Sequence, residues 1–266
     1  MTDAPRWRAD LDLAHTLADA ADRITMARFL SADLTVETKP DLTPVTDADR
    51  AVERALRDAL ERERPDDAVV GEEYGDRDGM GESARRWVID PIDGTKNFVR
   101  GVPVWATLIG LQVERRTVVG VVSAPALGRR WWASSGGGAW TSAPAVDARR
   151  CRVSAVGAIE NASISYSSLV GWEATGRGEA FIALLGRAWR SRAYGDFWSH
   201  MLVAEGAVDA SCEPELSLWD LAALQVIVTE AGGRFTDLSG VDHCDGGSVL
   251  CTNGRLHDEI MRSIGS

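Results

Sequence analysis

An apolar strand that leads directly into two carboxylates constrains the fold of this sequence more than any other feature. Residues 87–89 are apolar with β-forming character, and they place Asp90 at the end of a predicted strand. We expect Pro91 to stop the strand and Asp93 to lie one turn further on, so that both carboxylates can point at one hard cation. A short helix can begin at residues 94–95, where exposed backbone N–H groups would bind an anion. The alternative is a turn in which Asp and Gly serve turn geometry alone.

Further acidic positions follow predicted strand ends or begin predicted helices. Glu72 and Glu73 come directly after the apolar run at 68–70, although two adjacent glutamates usually belong to a solvated loop. Asp220 begins a strongly apolar helix, and Asp47 begins the second helix of the chain. Aspartate is a common N-cap, so both aspartates also have an ordinary structural explanation. Each position taken alone is therefore ambiguous.

Hydrophobic periodicity and breaker residues predict the remaining elements. Thr46 caps the second helix with Asp49 in a variant capping box, and Pro65 ends that helix. The other predicted elements are a helix over 9–30, a hairpin of 104–113 with 118–125, a hairpin over 129–140, and helices over 178–189, 197–206 and 218–231, the last ending at 232–233. After about residue 150, short apolar stretches alternate with predicted helices. We therefore expect two parts, 1–150 and 151–266, with a boundary near 145–155.

The charge of the chain excludes several classes of partner. Lys and Arg number 29 against 40 Asp and Glu, which gives a formal net charge of −11 over 266 residues. Such an acidic balance argues against nucleic acid and against an anionic membrane as partners. The four cysteines show no zinc or haem spacing, and the sequence contains no leader-like or membrane-spanning apolar run. We therefore expect a cytoplasmic protein with reduced, structural thiols.

Four segments of the chain match the signatures of one known family in order and spacing. Residues 90–98 read like D-P-[IL]-D-[GS]-T-x-N-[FY], and residues 219–233 read like a W-D-x-A-A helix that ends in E-A-G-G. Residues 71–73 match a G-E-E strand end, and residues 39–47 match a segment that runs from a lysine to an aspartate. The chain therefore resembles the inositol monophosphatase family of metal-dependent phosphatases, over roughly residues 10–260. The resemblance implies an α/β fold, a layered αβαβα sandwich of the inositol monophosphatase and fructose-1,6-bisphosphatase type, with the site between its two halves.

The resemblance also implies a set of oxygen ligands for Mg²⁺, which Mn²⁺ can replace. Glu72, Asp90 and the Ile92 carbonyl group would hold one ion. Asp90, Asp93 and Asp220 would hold a second, and a looser third ion would share Glu72. Carboxylates without His or Cys are the ligand set that Mg²⁺ prefers, so the chemistry of the residues agrees with the family. The first part of the chain would supply most ligands, and the second would supply Asp220.

The implied reaction is hydrolysis of a phosphate monoester by in-line attack of a water molecule that metal ions activate. Asp47 and Thr95 would orient and deprotonate this water, with Glu72 also among the catalytic residues. Asp93, Gly94 and Thr95 would contact the phosphate. No cysteine or histidine stands in the motifs, which argues against a phosphocysteine or phosphohistidine intermediate.

The second part of the chain indicates which ester is bound. Arg192 and Asp196 lie in an R-x-x-G-D run that looks like the members of the family that hydrolyse histidinol phosphate, an intermediate of histidine biosynthesis. Inositol-preferring members typically have a small neutral residue in place of Asp196. Asp196 and Glu213 could pair with the ammonium and imidazole groups of histidinol phosphate, and Asp220 would border the same substrate. Alternatively Asp196 caps the helix at 197–206, and both roles can hold together.

Two alternatives to a histidinol-phosphate phosphatase stay open. One is an inositol-1-phosphatase with a broad substrate range, and the other is a non-catalytic binding protein of a transcription complex. We expect a small phosphate ester as partner and a homodimer, for which the Trp-rich hairpin at 131–140 is a candidate interface. The four histidines, His15, His200, His243 and His257, receive no catalytic role.

Overall fold

Helices in the computed structural model begin and end close to the residues that the sequence predicts. The structure describes residues 6–40, 42–77, 84–144 and 146–265, so residue 145 of the expected boundary at 145–155 lies outside it. The helices within these ranges are α1 (Arg8–Arg28), α2 (Asp47–Glu63), α3 (Thr95–Val99), α4 (Gly178–Arg187), α5 (Asp196–Ala204), α6 (Leu218–Glu230) and α7 (His257–Ile264). The five long predicted helices are confirmed, and so is the short helix after Gly94.

Three β-sheets account for the strands of the described ranges. The strands are β1 (Val36–Thr38), β2 (Pro44–Thr46), β3 (Ala68–Gly71), β4 (Gly75–Arg77), β5 (Arg85–Asp93), β6 (Ala106–Val113), β7 (Arg116–Ala124), β8 (Arg129–Ser134), β9 (Gly138–Ala143), β10 (Val146–Arg150), β11 (Ser163–Ser165), β12 (Arg190–Arg192), β13 (Ala210–Glu213), β14 (Arg234–Thr236) and β15 (Val249–Thr252). β1 and β2 form a two-stranded ribbon, and the large sheet has the order β10-β9-β8-β7-β6-β5-β3-β4. The smaller sheet has the order β12-β11-β13-β15-β14. Both predicted hairpins are confirmed, since β6 pairs with β7 and β8 with β9 in antiparallel register.

The two larger sheets alternate with three layers of helices. α1 and α2 cover one face of the large sheet, where Leu17, Leu56 and Trp87 belong to one buried cluster. α5 and α6 fill the space between the two sheets, and Phe197 and Leu221 belong to the cluster there. α4 and α7 cover the outer face of the smaller sheet. The order is therefore helix, sheet, helix, sheet, helix, which confirms the predicted αβαβα fold.

Helix α6 lies directly against the large sheet because two glycines face it. A Cβ atom at Gly120 would lie 2.5 Å from the carbonyl oxygen of Ala223, and one at Gly110 would lie 3.1 Å from the Cβ of Ala222. Small residues on both elements thus allow the backbone of α6 to approach β6 and β7. This contact fixes the first turn of α6, which carries Asp220, relative to the large sheet.

Strand β5 does not stop at Pro91, which corrects the prediction from the sequence. Asp90 pairs with Leu108 and Asp93 pairs with Ala106, so three steps along β5 match two steps along β6. This irregularity is a β-bulge at Pro91, whose missing N–H group would leave a gap in a regular ladder. The Pro91 carbonyl oxygen accepts a hydrogen bond of 2.8 Å from a threonine hydroxyl of β6. The extra residue changes the direction of the side chains that follow, so the strand itself carries both carboxylates to the site.

The starts of α2 and α6 show one confirmed cap and one corrected cap. The Thr46 N–H group donates to Asp49 Oδ2 at 2.8 Å, and the capping box predicted for α2 is confirmed. Helix α6 is capped by Ser217 and not by Asp220. Asp220 is the third residue of the helix, and its Oδ2 accepts the Ser217 N–H group at 2.7 Å. The helix ends as predicted, with Gly232 in the left-handed region at a φ of +91°.

The Trp-rich hairpin of β8 and β9 buries one of its three indole rings fully and the other two in part. Trp131 is fully buried, its indole N–H group donates to Glu205 at 2.7 Å, and its ring contacts Phe197. Trp132 and Trp140 are half-buried and pair with each other across the two strands. Strand alternation turns one indole into the core and its neighbour to the opposite face. The aromatic surface that the hairpin offers to a partner is therefore limited to the exposed parts of Trp132 and Trp140.

In the described ranges, no helix combines the length and the apolar character needed to cross a membrane. All four cysteines are free and buried. Burial raises the pKa of the Cys244 thiol to about 11, so that thiol stays protonated at neutral pH.

Candidate active site

Three carboxylates from the two parts of the chain meet at one point. Asp90 and Asp93 come from β5, and Asp220 comes from the first turn of α6. Carboxylate oxygens of the three side chains lie within 4.8 Å of one another. Asp90 is 1 % exposed, and its Oδ1 has no hydrogen-bond partner among the described residues. Asp93 Oδ2 accepts the Phe197 N–H group at 2.7 Å. The structure thus brings together three residues that the sequence predicts as metal ligands.

Burial and mutual repulsion raise the pKa of each of these carboxyl groups. For Asp90, burial is the main cause of a pKa well above the usual range, followed by the charges of Glu72 and Asp93. For Asp93, burial again raises the pKa, followed by the charge of Asp196. Burial and the charge of Glu72 raise the pKa of Asp220 to about 7. Carboxylates held this close need a compensating positive charge in order to be ionised together at neutral pH.

The donor set of the cluster fits a hard divalent cation. Its side-chain donors are carboxylate oxygens, one of which, Asp90 Oδ1, is buried without a partner in the part of the chain that the structure describes. The Ile92 carbonyl oxygen lies on the same strand segment, 2.9 Å from Thr95 Oγ1. Hard cations such as Mg²⁺ prefer oxygen donors of this kind. The cluster can therefore hold a metal ion.

Glu72 lies near the cluster and forms an ion pair with Lys39. Lys39 Nζ is 2.7 Å from Glu72 Oε1 and 2.5 Å from Glu73 Oε1. Burial opposes the charge of Lys39, but the hydrogen bonds to Glu72 and Glu73 raise its pKa above the usual value. Lys39 stands at the beginning of one of the family motifs, and this place was the signal from which its role could have been predicted.

Thr95 pairs with Asp49, and the expected pairing with Asp47 is not found. Thr95 Oγ1 lies 3.2 Å from Asp49 Oδ1. Asp47 Oδ2 instead accepts a 2.8 Å hydrogen bond from Arg28, and the Asp47 side chain is 42 % exposed. Residues two apart on a helix point in different directions, so Asp47 and Asp49 cannot both face Thr95. Burial raises the pKa of Asp49 to about 6.

Gly94 keeps the space beside Asp93 and Thr95 free of side-chain atoms. Its φ of +83° lies in the left-handed region, which favours glycine. A Cβ atom at this position would lie 3.0 Å from both Asp196 Oδ2 and the Val104 carbonyl oxygen. A larger residue would therefore push against one of the acidic side chains of the site.

A second acidic pair borders the first cluster. One cavity of about 30 Å³ is lined by Asp93, Asp196, Phe197, His200, Glu213, Leu216, Asp220 and Leu224. Asp196 Oδ2 accepts a 3.0 Å hydrogen bond from Asn97, and the Asp196 side chain forms no cap bond on α5. Burial and the charge of Glu213 raise the pKa of Asp196 to about 6. Asp196 thus lies in the site, and the alternative in which its side chain caps the helix is not found.

Glu213 faces His200, to which the sequence analysis assigned no role. Both side chains are buried, and His200 Nε2 lies 3.1 Å from Glu213 Oε1. His200 follows Asp196 by one helical turn on α5, and this spacing was the signal that could have placed it in the site. Arg192 is exposed and donates to the carbonyl group of Ser191 at 2.7 Å. It does not line the cavity, so the structure does not bring this predicted substrate residue to the site.

The layered fold and the acidic site define the class of protein. The chain belongs to the inositol monophosphatase family, whose sequence model matches residues 7–266. One similar relative is a histidinol-phosphatase of Streptomyces coelicolor, 57 % identical over 97 % of each chain. Another is a histidinol-phosphatase of Mycobacterium tuberculosis, 56 % identical over 96 % of this chain and 97 % of the relative. Among solved structures, an inositol monophosphatase from Zymomonas mobilis matches with a TM-score of 0.86 at 29 % identity, covering 99 % of this chain and 100 % of that chain.

Proposed function

We propose that this protein is a Mg²⁺-dependent phosphate monoester hydrolase whose substrate is histidinol phosphate. The observation that carries the proposal is that two sets of acidic side chains, suited to two different ligands, border one cavity. The cluster of Asp90, Asp93 and Asp220 suits a metal ion, and Asp196 and Glu213 line the adjoining cavity. The relatives named histidinol-phosphatase, at 57 % and 56 % identity, support the choice of substrate.

The ligand assignment is the one that the family resemblance implies, and the clustering of Asp90, Asp93 and Asp220 supports it. Glu72, Asp90 and the Ile92 carbonyl would hold one Mg²⁺, and Asp90, Asp93 and Asp220 a second, with a looser third ion near Glu72. Mn²⁺ could replace Mg²⁺ because it accepts the same oxygen donors. When bound, these ions would neutralise the charge that develops on the phosphoryl oxygens. Lys39 holds Glu72 in place through its ammonium group.

Asp49 and Thr95 would move the proton of the attacking water, and Asp49 replaces Asp47 in this role. The Thr95 hydroxyl can accept a hydrogen bond from water while it donates its own hydrogen to Asp49 Oδ1, 3.2 Å away. The second oxygen of Asp49 is held by the Thr46 N–H group at 2.8 Å, which fixes the orientation of the carboxylate. This arrangement supplies a base within hydrogen-bond reach of the reacting water.

Asp196 and Glu213 would bind the cationic end of the substrate. Histidinol phosphate carries an ammonium and an imidazole group, both of which donate N–H bonds. A charge-assisted hydrogen bond to a carboxylate is about twice as strong as a neutral one. A neutral alcohol such as inositol gains less from such a pair. Arg192 has no part in this site, because its side chain is exposed beside Ser191.

We further infer a homodimer in the cytoplasm, as expected of a biosynthetic enzyme with free thiols. Large apolar side chains are exposed in the second part of the chain, among them Leu169, Val170, Ile182 and Trp189 at 46 %, 86 %, 52 % and 69 % exposure. Exposed apolar area of this kind favours contact with another protein surface. Sedimentation equilibrium of the full chain tests the dimer, and a monomeric mass at micromolar concentration contradicts it.

A substrate panel tests the proposed function. We would measure phosphate release from histidinol phosphate, inositol 1-phosphate, fructose 1,6-bisphosphate and 3′-phosphoadenosine 5′-phosphate, with Mg²⁺ and after exhaustive chelation. The expected result is the highest kcat/KM for histidinol phosphate and no turnover without a divalent cation. Full activity after chelation would refute the metal requirement. Equal or better use of inositol 1-phosphate would favour the broad inositol-1-phosphatase instead.

A further inference from the structure

The His200 side chain is a polar group of the site that the proposed chemistry leaves without a task. It lies on α5, one turn after Asp196, and is 1 % exposed. Its imidazole ring lines the same cavity as Asp93, Asp196 and Glu213. Nε2 lies 3.1 Å from Glu213 Oε1, but Nδ1 is buried with no hydrogen-bond partner within the ranges that the structure describes.

The contact with Glu213 determines which ring nitrogen carries the proton. An ionised carboxylate only accepts hydrogen bonds, so Nε2 donates to Glu213. In the neutral ring, Nδ1 then carries a lone pair and is an acceptor. A buried acceptor without a partner lowers stability, and functional sites are where such groups persist. The side chains of Asp93, Asp196 and Glu213 that surround the cavity offer further acceptors, and a ligand N–H group can supply the missing donor.

The number of acceptors matches the donors of an ammonium group. A primary ammonium has three N–H bonds, and it finds the best partners where acceptors surround it. Asp196, Glu213 and His200 all line this cavity, and with a neutral ring each of the three side chains supplies an acceptor. A hydroxyl group of a neutral substrate has one hydrogen to donate and would leave part of this set without a partner.

We propose that His200 determines specificity for the cationic end of the substrate: it holds the Glu213 carboxylate through Nε2 and accepts a substrate N–H group at Nδ1. The inference rests on the proposed function and deepens it. It assigns to a histidine, and not only to the carboxylates, the recognition of an organic ammonium. Asn97 has the corresponding positioning role on the other side, because it holds Asp196 through a 3.0 Å hydrogen bond.

The test compares His200→Gln with the unchanged protein. The glutamine amide can still donate to Glu213, but it has no atom that corresponds to Nδ1. We expect kcat/KM for histidinol phosphate to fall about 10-fold or more, the range for a lost hydrogen bond to a charged group. We expect the inhibition constant of histidinol, which carries the cation without the phosphate, to rise by a similar factor. For inositol 1-phosphate the change in kcat/KM should be several times smaller. His243→Gln is the matched control, because His243 contacts Asp237 and neither residue lines the cavity.

The outcomes separate this inference from the proposed function. If the unchanged protein shows no preference for histidinol phosphate, the proposed function is wrong and the role of His200 falls with it. If the preference exists and survives in His200→Gln, only the role of His200 is refuted. An equal loss for both substrates also refutes it, because a purely structural histidine would produce that result. If His200→Gln does not fold, the ratio of kcat/KM for histidinol phosphate to kcat/KM for inositol 1-phosphate is measured in His200→Asn. The asparagine side chain is too short to reach Glu213, so this ratio should fall in that variant too.

Discussion

Replacing Asp49 by Asn should abolish most of the turnover, whereas the same change at Asp47 should not. Asp49 Oδ1 is the acceptor 3.2 Å from the Thr95 hydroxyl. In Asp49→Asn, the amide oxygen can turn to the Thr46 N–H group and keep the cap of α2. The amide NH₂ group then faces Thr95 and can only donate, so the hydroxyl has nowhere to pass a proton.

The size of the effect follows from the two environments. A positioned general base contributes about 10²- to 10⁴-fold to a rate, so we expect kcat to fall by at least about 100-fold in Asp49→Asn. Asp47→Asn breaks only the ion pair with Arg28, in which the Asp47 side chain is 42 % exposed. Such exposed pairs contribute about 0–1 kcal/mol to the free energy of unfolding. We therefore expect Asp47→Asn to stay within about 3-fold of the unchanged protein, less than 1 kcal/mol in the activation barrier.

The assay is steady-state hydrolysis of histidinol phosphate at saturating Mg²⁺, with thermal unfolding measured on the same samples. The amide oxygen of Asp49→Asn can keep the hydrogen bond from Thr46, and even a complete loss of the cap would cost only about 0.5–2 kcal/mol, which leaves a stable domain folded. The fall in kcat must therefore occur in protein that unfolds cooperatively. A 100-fold loss in Asp47→Asn with near-normal turnover in Asp49→Asn would refute the assignment and return the role to Asp47.

The other predictions concern a ligand, a specificity residue and a buried histidine. Asp93→Asn should abolish turnover. Its midpoint of thermal unfolding without divalent cations should stay equal or rise, because burial and neighbouring carboxylates raise the pKa of Asp93. Normal turnover in this variant would remove Asp93 from the site. Asp196→Asn should lower kcat/KM for histidinol phosphate about 10- to 150-fold and that for inositol 1-phosphate much less, and an equal fall for both would contradict the specificity role. Burial, followed by the charge of Arg234, lowers the pKa of His257 to about 4 from 6.5, so the unfolded chain binds the proton more tightly. Above pH 6.5, neutral His257 makes its full contribution to the free energy of unfolding. This free energy falls by about 3 kcal/mol as the pH falls toward 4. Urea unfolding should show that His257→Gln has a flatter pH dependence there, and an unchanged slope would contradict the assignment.

The elements that the sequence predicts correctly are those set by local physics. Helix α2 is bounded by a capping box at Thr46 and by a proline after its last turn, and helix α6 ends at a glycine with positive φ. These signals act within a few residues, so they can be read without the rest of the fold. The clustered carboxylates Asp90, Asp93 and Asp220 are predicted only through the family motifs, because each of them alone also has an ordinary structural explanation.

The predictions that fail concern the direction in which a side chain or strand runs, and not the place of the residue along the chain. Asp47 and Asp49 both lie in the first turn of α2, and only the packing of that helix decides which of them faces Thr95. Pro91 is read as a strand end, yet a neighbouring strand allows a bulge to form around it. The sequence alone does not distinguish a tryptophan of the core from one of an interface, and strand alternation turns the side chain of Trp131 inward. Each outcome depends on a partner that is distant in the chain, which a local pattern does not contain.

The division of the acidic cluster between β5 and α6 determines when the cluster can form during synthesis of the chain. A ribosome adds about 5–20 residues per second, so Asp220 is synthesised roughly 6–25 s after Asp93. A nascent chain that has folded only its hairpins therefore holds the ligands proposed for the first ion, Glu72, Asp90 and the Ile92 carbonyl group, but lacks Asp220. The set of three carboxylates is completed only when α6 packs against β6 and β7. An ion that needs Asp220 would therefore bind after the two parts of the chain have folded together.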